Sequence, residues 1–366
     1  MAKLNFDVYS CVRTYYRYSS CQKCIDVCPK EDVLYIENDR VKMNEENCIQ
    51  CGACVGVCPT EAFFLSGFSP KELYDKLKES NENFISCRLN VPCAAAFDSQ
   101  YLIALAVENQ SDITVDIGHC ESCEIGQLKE RIEEIANEAN YVLSQMGVNY
   151  KIKLEPVAYE PPEEEKKKQE RRGFLKRFTK QAAGLAFWAM MPSIPELPTG
   201  EDKQDPDRID KNLVEEKVLP DKRIVLLEAL RNSGLDLKDK YVEVDKITFT
   251  SEKWIDNSKC TNCYICYHMC PTGALKEGNQ KLSILFEPAL CVKCRICHEM
   301  CPENCLHLAE KLELDTFVNK IETLAEHVMI PCEECMIPFS YKGDSTICPR
   351  CRRLEDEIKD LLKIGD

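Results

Sequence analysis

Several features that would assign this chain to a common class are missing from its sequence. It has no run of about 18 or more apolar residues, so we expect no transmembrane helix. The residues that follow Met1 lack the apolar core of a secretory signal, and we therefore expect a cytoplasmic protein. A net charge of −15 argues against nucleic acid as a partner. Phosphate-binding glycine loops, dinucleotide fingerprints and nucleophile sets are also missing, so the sequence predicts no substrate pocket.

Cysteine, in contrast, is abundant, since 25 of the 366 residues are cysteine. In a protein that is not exported, closely spaced cysteines more often hold metal than form disulfides. The length suggests about two or three domains. All the cysteines except Cys305 fall into regularly spaced groups, which is hard to obtain by chance. The sequence therefore predicts a cytoplasmic metalloprotein, with Cys305 as a spare buried thiol.

Two pairs of cysteine runs share one spacing. The full pattern is Cys-x2-Cys-x2-Cys-x3-Cys-Pro, and it occurs at Cys48–Pro59, Cys260–Pro271 and Cys291–Pro302. A fourth run, Cys11–Pro29, matches the pattern from its second cysteine onward. These runs resemble the bacterial two-cluster ferredoxins, in which three close thiolates bind one [4Fe–4S] cube and the cysteine before proline binds the other. Four zinc knots are the alternative interpretation of the same spacing.

The ferredoxin resemblance implies four cubes with crossed ligand sets, which we call clusters one to four. In the first half, cluster one takes Cys11, Cys21, Cys24 and Cys58, and cluster two takes Cys28, Cys48, Cys51 and Cys54. In the second half, cluster three takes Cys260, Cys263, Cys266 and Cys301, and cluster four takes Cys270, Cys291, Cys294 and Cys297. The resemblance also implies a small α+β ferredoxin layout for each half.

The first half departs from the ferredoxin pattern at one place. Nine residues rather than two separate Cys11 from Cys21, and we call these residues, 12–20, the insert. Either the insert is a loop that still delivers Cys11, or cluster one has only three cysteines and is labile. We favour the loop. Because the insert is aromatic and basic, it could dock a redox partner, or it could simply cover the cluster.

Residues 84–157 have a different pattern. Short apolar segments alternate with helical ones, which predicts a small parallel sheet covered by helices. Cys87 and Cys120 stand at predicted strand ends, where ligands gather on such sheets, so Cys93 and Cys123 could join them. We call these four the central cysteines, and the set resembles that of the iron–sulfur D subunit of methanogen-type hydrogenases. They could hold a further Fe–S cluster or zinc, or they could be free or redox-active thiols.

Residues 158–222 are rich in charge and proline, which predicts a linker. Within it, Arg171–Lys176 (Arg-Arg-Gly-Phe-Leu-Lys) resembles the twin-arginine export motif, although such signals are N-terminal. The surrounding stretch is strongly basic and is followed by apolar residues, which predicts a basic amphipathic helix. Such a helix, at residues 171–191, could dock a membrane surface peripherally or fill a groove of a partner. Packing against the protein's own ferredoxin domains is the alternative.

Two further Cys-x2-Cys pairs lie near the C-terminus, formed by Cys332 with Cys335 and by Cys348 with Cys351. Four thiolates in two such knuckles are typical of a zinc ribbon. The pairs also resemble rubredoxin, which holds one iron in the same tetrahedron of sulfurs. We expect zinc. A helix over residues 312–328 is predicted to connect this module to the second ferredoxin half.

Together these patterns predict an α+β protein with two ferredoxin-like dicluster domains, a small α/β four-cysteine domain between them and a C-terminal zinc ribbon. The predicted boundaries are 1–70, 84–157, 158–222 for the linker, 223–310 and 311–366. The predicted function is the transfer of single electrons through four [4Fe–4S] clusters, with one zinc, as a subunit or partner of an anaerobic oxidoreductase complex of the hydrogenase or formate dehydrogenase class. An assembly factor for a metalloenzyme, or a redox enzyme acting at the central cysteines, are the alternatives.

Overall fold

The computed structural model describes residues 3–157 and 217–363. Most of the predicted linker and the whole of the predicted docking segment, 171–191, therefore lie outside the described residues. Within the described ranges, no helix combines the length and the apolar character that are needed to cross a membrane.

The first ferredoxin half consists of two antiparallel strand pairs and three short helices. Strand β1 (Leu4–Phe6) pairs with β4 (Phe63–Leu65), and β2 (Leu34–Glu37) pairs with β3 (Arg40–Met43). The helices are α1 (Val12–Tyr15), α2 (Lys23–Asp26) and α3 (Ala53–Val57). The apolar side chains of the four strands, α2 and α3 share one small core with the cysteines. Because such short elements bury little apolar surface, cluster binding should supply much of the folding free energy.

The central region is a three-stranded parallel sheet with helices. The strands lie in the order β5 (Phe84–Ile85), β6 (Ile113–Asp116) and β7 (Ile152–Glu155). The helices are α4 (Pro70–Ser80), α5 (Ser99–Asn109) and α6 (Leu128–Gln145). Parallel neighbours need a crossover connection, and α5 and α6 provide the two that this sheet requires. This is the architecture that the alternation of strand-like and helical segments predicts.

The largest apolar core joins this sheet to later parts of the chain. Helix α7 (Asp221–Asn232) packs on α5, and β8 (Tyr241–Glu243) follows it. Residues 225–249, which the sequence analysis assigned to the second ferredoxin domain, contribute side chains to this core. Strand β8 is short, because the chain turns into a 3₁₀ helix (Val244–Lys246) directly after Glu243.

The second ferredoxin half repeats the first. Strand β9 (Lys253–Ile255) pairs with β12 (Leu306–Leu308), and β10 (Leu275–Glu277) pairs with β11 (Ser283–Phe286), with α8 (Ile265–His268) and α9 (Ile296–Glu299) between them. In the outer pairs, Leu4 lies opposite Leu65 and Lys253 lies opposite Leu308. Since Leu65 and Leu308 both lie seven residues after the last ferredoxin cysteine of their half, Leu4 and Lys253 occupy equivalent positions.

The C-terminal region differs from its prediction. Strand β13 (Lys311–Glu313) pairs with β8 and is followed by α10 (Leu314–Asn319), β14 (Glu322–Glu326), β15 (Val328–Pro331), β16 (Pro338–Tyr341) and α11 (Pro349–Lys363). The helix predicted over 312–328 is therefore present only at Leu314–Asn319, and the prediction is wrong on both sides of it. Strand β14 pairs instead with the free edge of β11, where the sheet offers unpaired backbone groups.

Candidate metal centres

The structure brings together the cysteines predicted for cluster one. Burial raises the pKa of Cys24, and the neighbouring thiolates of Cys58, Cys11 and Cys21 raise it further. Burial likewise raises the pKa of Cys11 to about 12. Four thiolates confined in one poorly solvated space repel one another, and bound iron would neutralise that repulsion.

Cys11 occupies the position that Cys260 has in the second half. Each cysteine lies five residues after the end of the outer strand, β1 or β9. Directly after β1, the backbone N–H of Asp7 donates a hydrogen bond of 2.8 Å to the carbonyl of Ala62, and directly after β9, that of Asp256 donates one of 2.8 Å to the carbonyl of Cys305. Ala62 and Cys305 each lie four residues after the last ferredoxin cysteine of their half. The chain thus enters both halves along the same path, and the insert follows the first ligand position. This geometry favours the loop that delivers Cys11 over a three-cysteine cluster.

The other three predicted sets also come together. In each set, burial and neighbouring thiolates raise the pKa of a cysteine. For cluster two this is Cys54, beside Cys28, Cys48 and Cys51. For cluster three it is Cys266, beside Cys260, Cys263 and Cys301, and for cluster four it is Cys294, beside Cys270, Cys291 and Cys297. Within each half the two sets are also neighbours, since Cys24 lies near Cys54 and Cys266 lies near Cys297. Each half therefore places two cluster sites side by side, as crossed ligation requires.

The insert makes an apolar contact with the second half. Val12 and Tyr15 are buried against Ile296. Cys21 of cluster one and Cys294 of cluster four pack on the same apolar group. The inward side of the insert thus lies between a ligand position of cluster one and a ligand position of cluster four.

Polar contacts flank this apolar group. The backbone N–H of Ser20 donates to the Glu299 carboxylate at 3.2 Å. The Lys217 ammonium lies 5.5 Å from the centre of the Tyr15 ring. Tyr18, in contrast, is 65% exposed. Of the two roles considered for the insert, covering describes the buried Tyr15, whereas the exposed Arg17 and Tyr18 remain available to a partner.

One buried charge distinguishes the surroundings of clusters two and four. Lys253 is 4% exposed, and although burial lowers its pKa, the thiolates of cluster four raise it more. At the equivalent position in the first half, Leu4 lines the space between the cysteines of cluster two. A second buried cation, Arg223, donates to the carbonyl of Cys291 at 2.8 Å. Neither cation is indicated by the cysteine spacing, although an alignment of the two halves places a lysine where the first half has leucine.

Cys305 lies next to the site of cluster three. It is 3% exposed, as expected for a buried thiol, and its sulfur is 3.6 Å from the sulfur of Cys301. Its backbone N–H donates to the same sulfur at 3.4 Å. In the first half Ala62 makes the equivalent bond to Cys58 at 3.3 Å. Cys305 therefore places a thiol where the first half has the methyl group of Ala62.

The central cysteines line a single cavity of about 210 Å³. Cys87 follows β5 and Cys120 follows β6, so both lie beyond the carboxyl edge of the parallel sheet. Cys93 immediately precedes a 3₁₀ turn, and Cys123 ends another. Cys93 is buried and the other three are half-buried. The convergence expected from the strand ends is thus present in the structure.

The C-terminal cysteines form a more compact group. Their four sulfurs all lie within 4.8 Å of one another, and those of Cys335 and Cys348 are 3.8 Å apart. A tetrahedral zinc with Zn–S bonds of about 2.3 Å places its sulfurs about 3.8 Å apart. Backbone N–H groups of Cys335 and Cys348 lower the pKa of Cys332 to about 6, which favours the metal-binding thiolate. The group could hold one metal ion, and its geometry suits zinc and iron alike.

Comparison with known families agrees with the ferredoxin geometry. A family described as "4Fe-4S dicluster domain" matches residues 17–62, and one described as "4Fe-4S binding domain" matches residues 253–276. The first match begins after Cys11, where the insert interrupts the usual spacing.

Individual ferredoxins match the chain over short stretches. A ferredoxin of Streptomyces griseus is 38% identical over 61 residues, which are 17% of this chain and 57% of that ferredoxin. A "Ferredoxin 7Fe" of Hydrogenibacillus schlegelii is 33% identical over 61 residues, 17% of this chain and 77% of its own length. A ferredoxin of Methanothermococcus thermolithotrophicus is 44% identical over 43 residues, 12% of this chain and 70% of its own.

Proposed function

Since the chain belongs to the ferredoxin family and is an iron–sulfur electron-transfer protein, we propose that it passes single electrons through four [4Fe–4S] clusters on behalf of a larger oxidoreductase complex. The ligand sets are those of clusters one to four. Each cluster gains one electron when it is reduced and returns it when it is oxidised, so the chain conducts without binding a substrate.

The contact made by the insert carries this proposal. Val12 and Tyr15 pack against Ile296, with a cysteine of cluster one and a cysteine of cluster four on the same apolar group. Because sites one and two are neighbours in the first half, and sites three and four in the second, this contact connects two pairs into one series. The order along the series is two, one, four, three.

The proposed partner is a redox complex of the hydrogenase or formate dehydrogenase class, and the C-terminal module offers a surface for it. Val328, Met336 and Ile337 on or beside the β15–β16 hairpin are 65%, 69% and 54% exposed. Met336 and Ile337 are consecutive at the turn of the hairpin, and neighbouring exposed apolar side chains are typical of docking surfaces. In this proposal the four C-terminal cysteines hold a zinc that shapes the surface and carries no electrons, because zinc has no redox chemistry.

Metal analysis of the full chain, purified anaerobically, tests the four-cluster arrangement. We expect about sixteen irons in cubes, with equal inorganic sulfide, and one zinc. Eight irons or fewer in fully loaded protein would contradict it. The partner is tested by purification from the native host, where the chain should recover in constant ratio with an oxidoreductase that reduces and reoxidises it.

Tyr15→Ala tests the connection between the halves. Removing the ring opens a cavity in the apolar group, so magnetic coupling between clusters one and four in the electron paramagnetic resonance (EPR) spectrum of the reduced protein should weaken. Tyr18→Ala, in the same insert but exposed, is the matched control and should leave the coupling unchanged. Equal spectra for both variants, with iron content intact, would show that Tyr15 does not hold clusters one and four close together, which contradicts the connection proposed at this contact.

A further inference from the structure

The cavity between the central cysteines is not part of either ferredoxin repeat. It lies beyond the carboxyl edge of the β5–β6–β7 sheet, where the β5–α5 and β6–α6 connections bring the four thiols together. One carboxylate, that of Asp116, also faces it. Asp116 is ion-paired with Arg88 at 2.6 Å and accepts a hydrogen bond from Ser86 at 2.7 Å. The carboxylate is therefore held by the protein. His119 also lines the cavity, and its Nδ1 lies 3.4 Å from the hydroxyl of Ser122, so four sulfurs and one imidazole surround the space.

The distances between these sulfurs distinguish a site for a single metal ion from a site for a cluster. Among the described residues, the C-terminal cysteines are the group whose donor atoms all lie within 4.8 Å of one another. No three of the central cysteines meet that distance, and neither do the ferredoxin cysteines. Zinc requires sulfurs about 3.8 Å apart. Thiolates spread around a cavity suit a centre with several irons, each of which occupies a different corner.

The central cavity also adjoins cluster two. Cys51, a ligand of cluster two, packs against the apolar core to which Cys93 belongs. Glycine permits this approach: a Cβ at Gly52 would lie 2.8 Å from the Ala96 methyl, and one at Gly56 would lie 2.5 Å from the carbonyl oxygen of Ala95. The backbone around cluster two and the turn after Cys93 are therefore in direct contact.

From the cavity, the donor set and this contact, we propose that Cys87, Cys93, Cys120 and Cys123 hold a fifth iron–sulfur cluster, next to cluster two. The cluster gains one electron on reduction and passes it to oxidised cluster two, or receives one from reduced cluster two, so electrons balance without a further reactant. Glu121 and Ser122, on the outer side of the site, are exposed. The fifth cluster thus forms an end of the series that is open to a partner. Only this conducting role rests on the proposed function; the presence of the cluster does not.

Metal and sulfide analysis of the full chain tests the proposal. Wild-type protein should contain two to four irons beyond about sixteen, with matching sulfide, and one zinc. The double variant Cys120→Ser/Cys123→Ser should lose that excess while the sixteen irons and the zinc remain. Ser122→Ala, in the same turn, is the matched control and should keep the full content. Loss of a second zinc with unchanged iron would overturn the proposal in favour of a zinc site, and unchanged metal in the double variant would overturn it in favour of free thiols.

A second measurement does not depend on the variant folding. In anaerobic wild-type protein, iodoacetamide should fail to alkylate Cys120 and Cys123 until ferricyanide has destroyed the clusters. Ready alkylation of both half-buried thiols while all iron remains bound would contradict the proposal. If the fifth cluster is present but total iron shows fewer than four cubes, the proposed function fails and this inference stands.

Discussion

Replacing Lys253 by methionine should lower the reduction potential of cluster four. The lysine ammonium is buried among the four cysteines of that cluster, so it stabilises each negative charge the cluster gains. Methionine has a similar length and no charge, and it can keep the packing against Phe286, whose ring centre lies 5.7 Å from the ammonium. The first half shows that the fold accepts an apolar residue here, because Leu4 occupies the equivalent position.

The size of the effect follows from electrostatics. Two unit charges about 4 Å apart interact by about 4 kcal/mol when the effective dielectric constant is about 20. For a one-electron couple, about 1.4 kcal/mol corresponds to about 59 mV. Loss of this interaction can therefore lower the reduction potential by at most about 170 mV. The added electron is spread over a cube, and the ammonium is shared with the Nε2 atom of His298 at 3.1 Å. We therefore expect a decrease on the order of 100 mV.

Potentiometric titration followed by EPR measures this change, and the cluster four signal is the one that shifts. Lys259→Met is the matched control, because it removes a lysine next to Cys260 whose side chain is 61% exposed and paired with Asp256. Solvent and salt screen that charge, so the control should shift every midpoint by less than about 20 mV. If Lys253→Met shifts no midpoint more than Lys259→Met does, with iron content intact, the electrostatic reasoning is refuted.

Three other predictions follow from the sites. Cys305→Ala removes a weak S–H donor beside Cys301, so the potential of cluster three should fall by up to about 40 mV in the same titration, and an unchanged potential would show that the thiol does not tune the cluster. Burial, with the charge of Lys342, lowers the pKa of His327 to about 4. The pKa of a histidine in the unfolded chain is about 6.5, so the unfolded state takes up a proton before the folded state does. The contribution of His327 to stability is therefore complete above about pH 6.5 and decreases as the pH falls toward 4. The midpoint of urea unfolding should therefore decrease between about pH 7 and 5 more steeply in wild type than in His327→Gln, and parallel curves would exclude this linkage. A chelator that removes zinc should unfold the β15–β16 hairpin, seen as faster hydrogen exchange there, while about sixteen irons remain bound; loss of iron in step with zinc would show that the C-terminal module is not independent.

The grouping of the cysteines could be predicted from the sequence because it depends on short loops. Within a Cys-x2-Cys-x2-Cys run the thiols have little freedom, and the proline after the fourth cysteine turns the chain away. The strand ends before Cys87 and Cys120 allowed a similar argument, since parallel strands finish at the same edge of their sheet. In both cases a few local bonds determine where the sulfurs lie.

Contacts between distant segments could not be predicted in this way. Arg223 lies 68 residues before Cys291, whose carbonyl accepts its hydrogen bond, and nothing in the pattern of α7 indicates that partner. The helix predicted over 312–328 failed for the same reason. Its apolar spacing suited a helix, but the free edge of β11 offered residues 322–326 a strand partner, and tertiary pairing outweighed the local preference.

In the proposed series of clusters, the insert is the element that joins the two ferredoxin halves. In a Cys-x2-Cys loop, the two intervening residues are needed to wrap the cluster, and little side chain remains to reach another domain. The second half keeps this tight spacing between Cys260 and Cys263. The first half instead has a helical turn, α1, whose Val12 and Tyr15 bury apolar surface against Ile296 without displacing Cys11 from its ligand position. One insertion is enough for the proposed series, because crossed ligation would couple the two clusters inside each half. The departure from the ferredoxin pattern is therefore best understood as an adaptation of the interface between the halves, with the cluster itself left in its usual form.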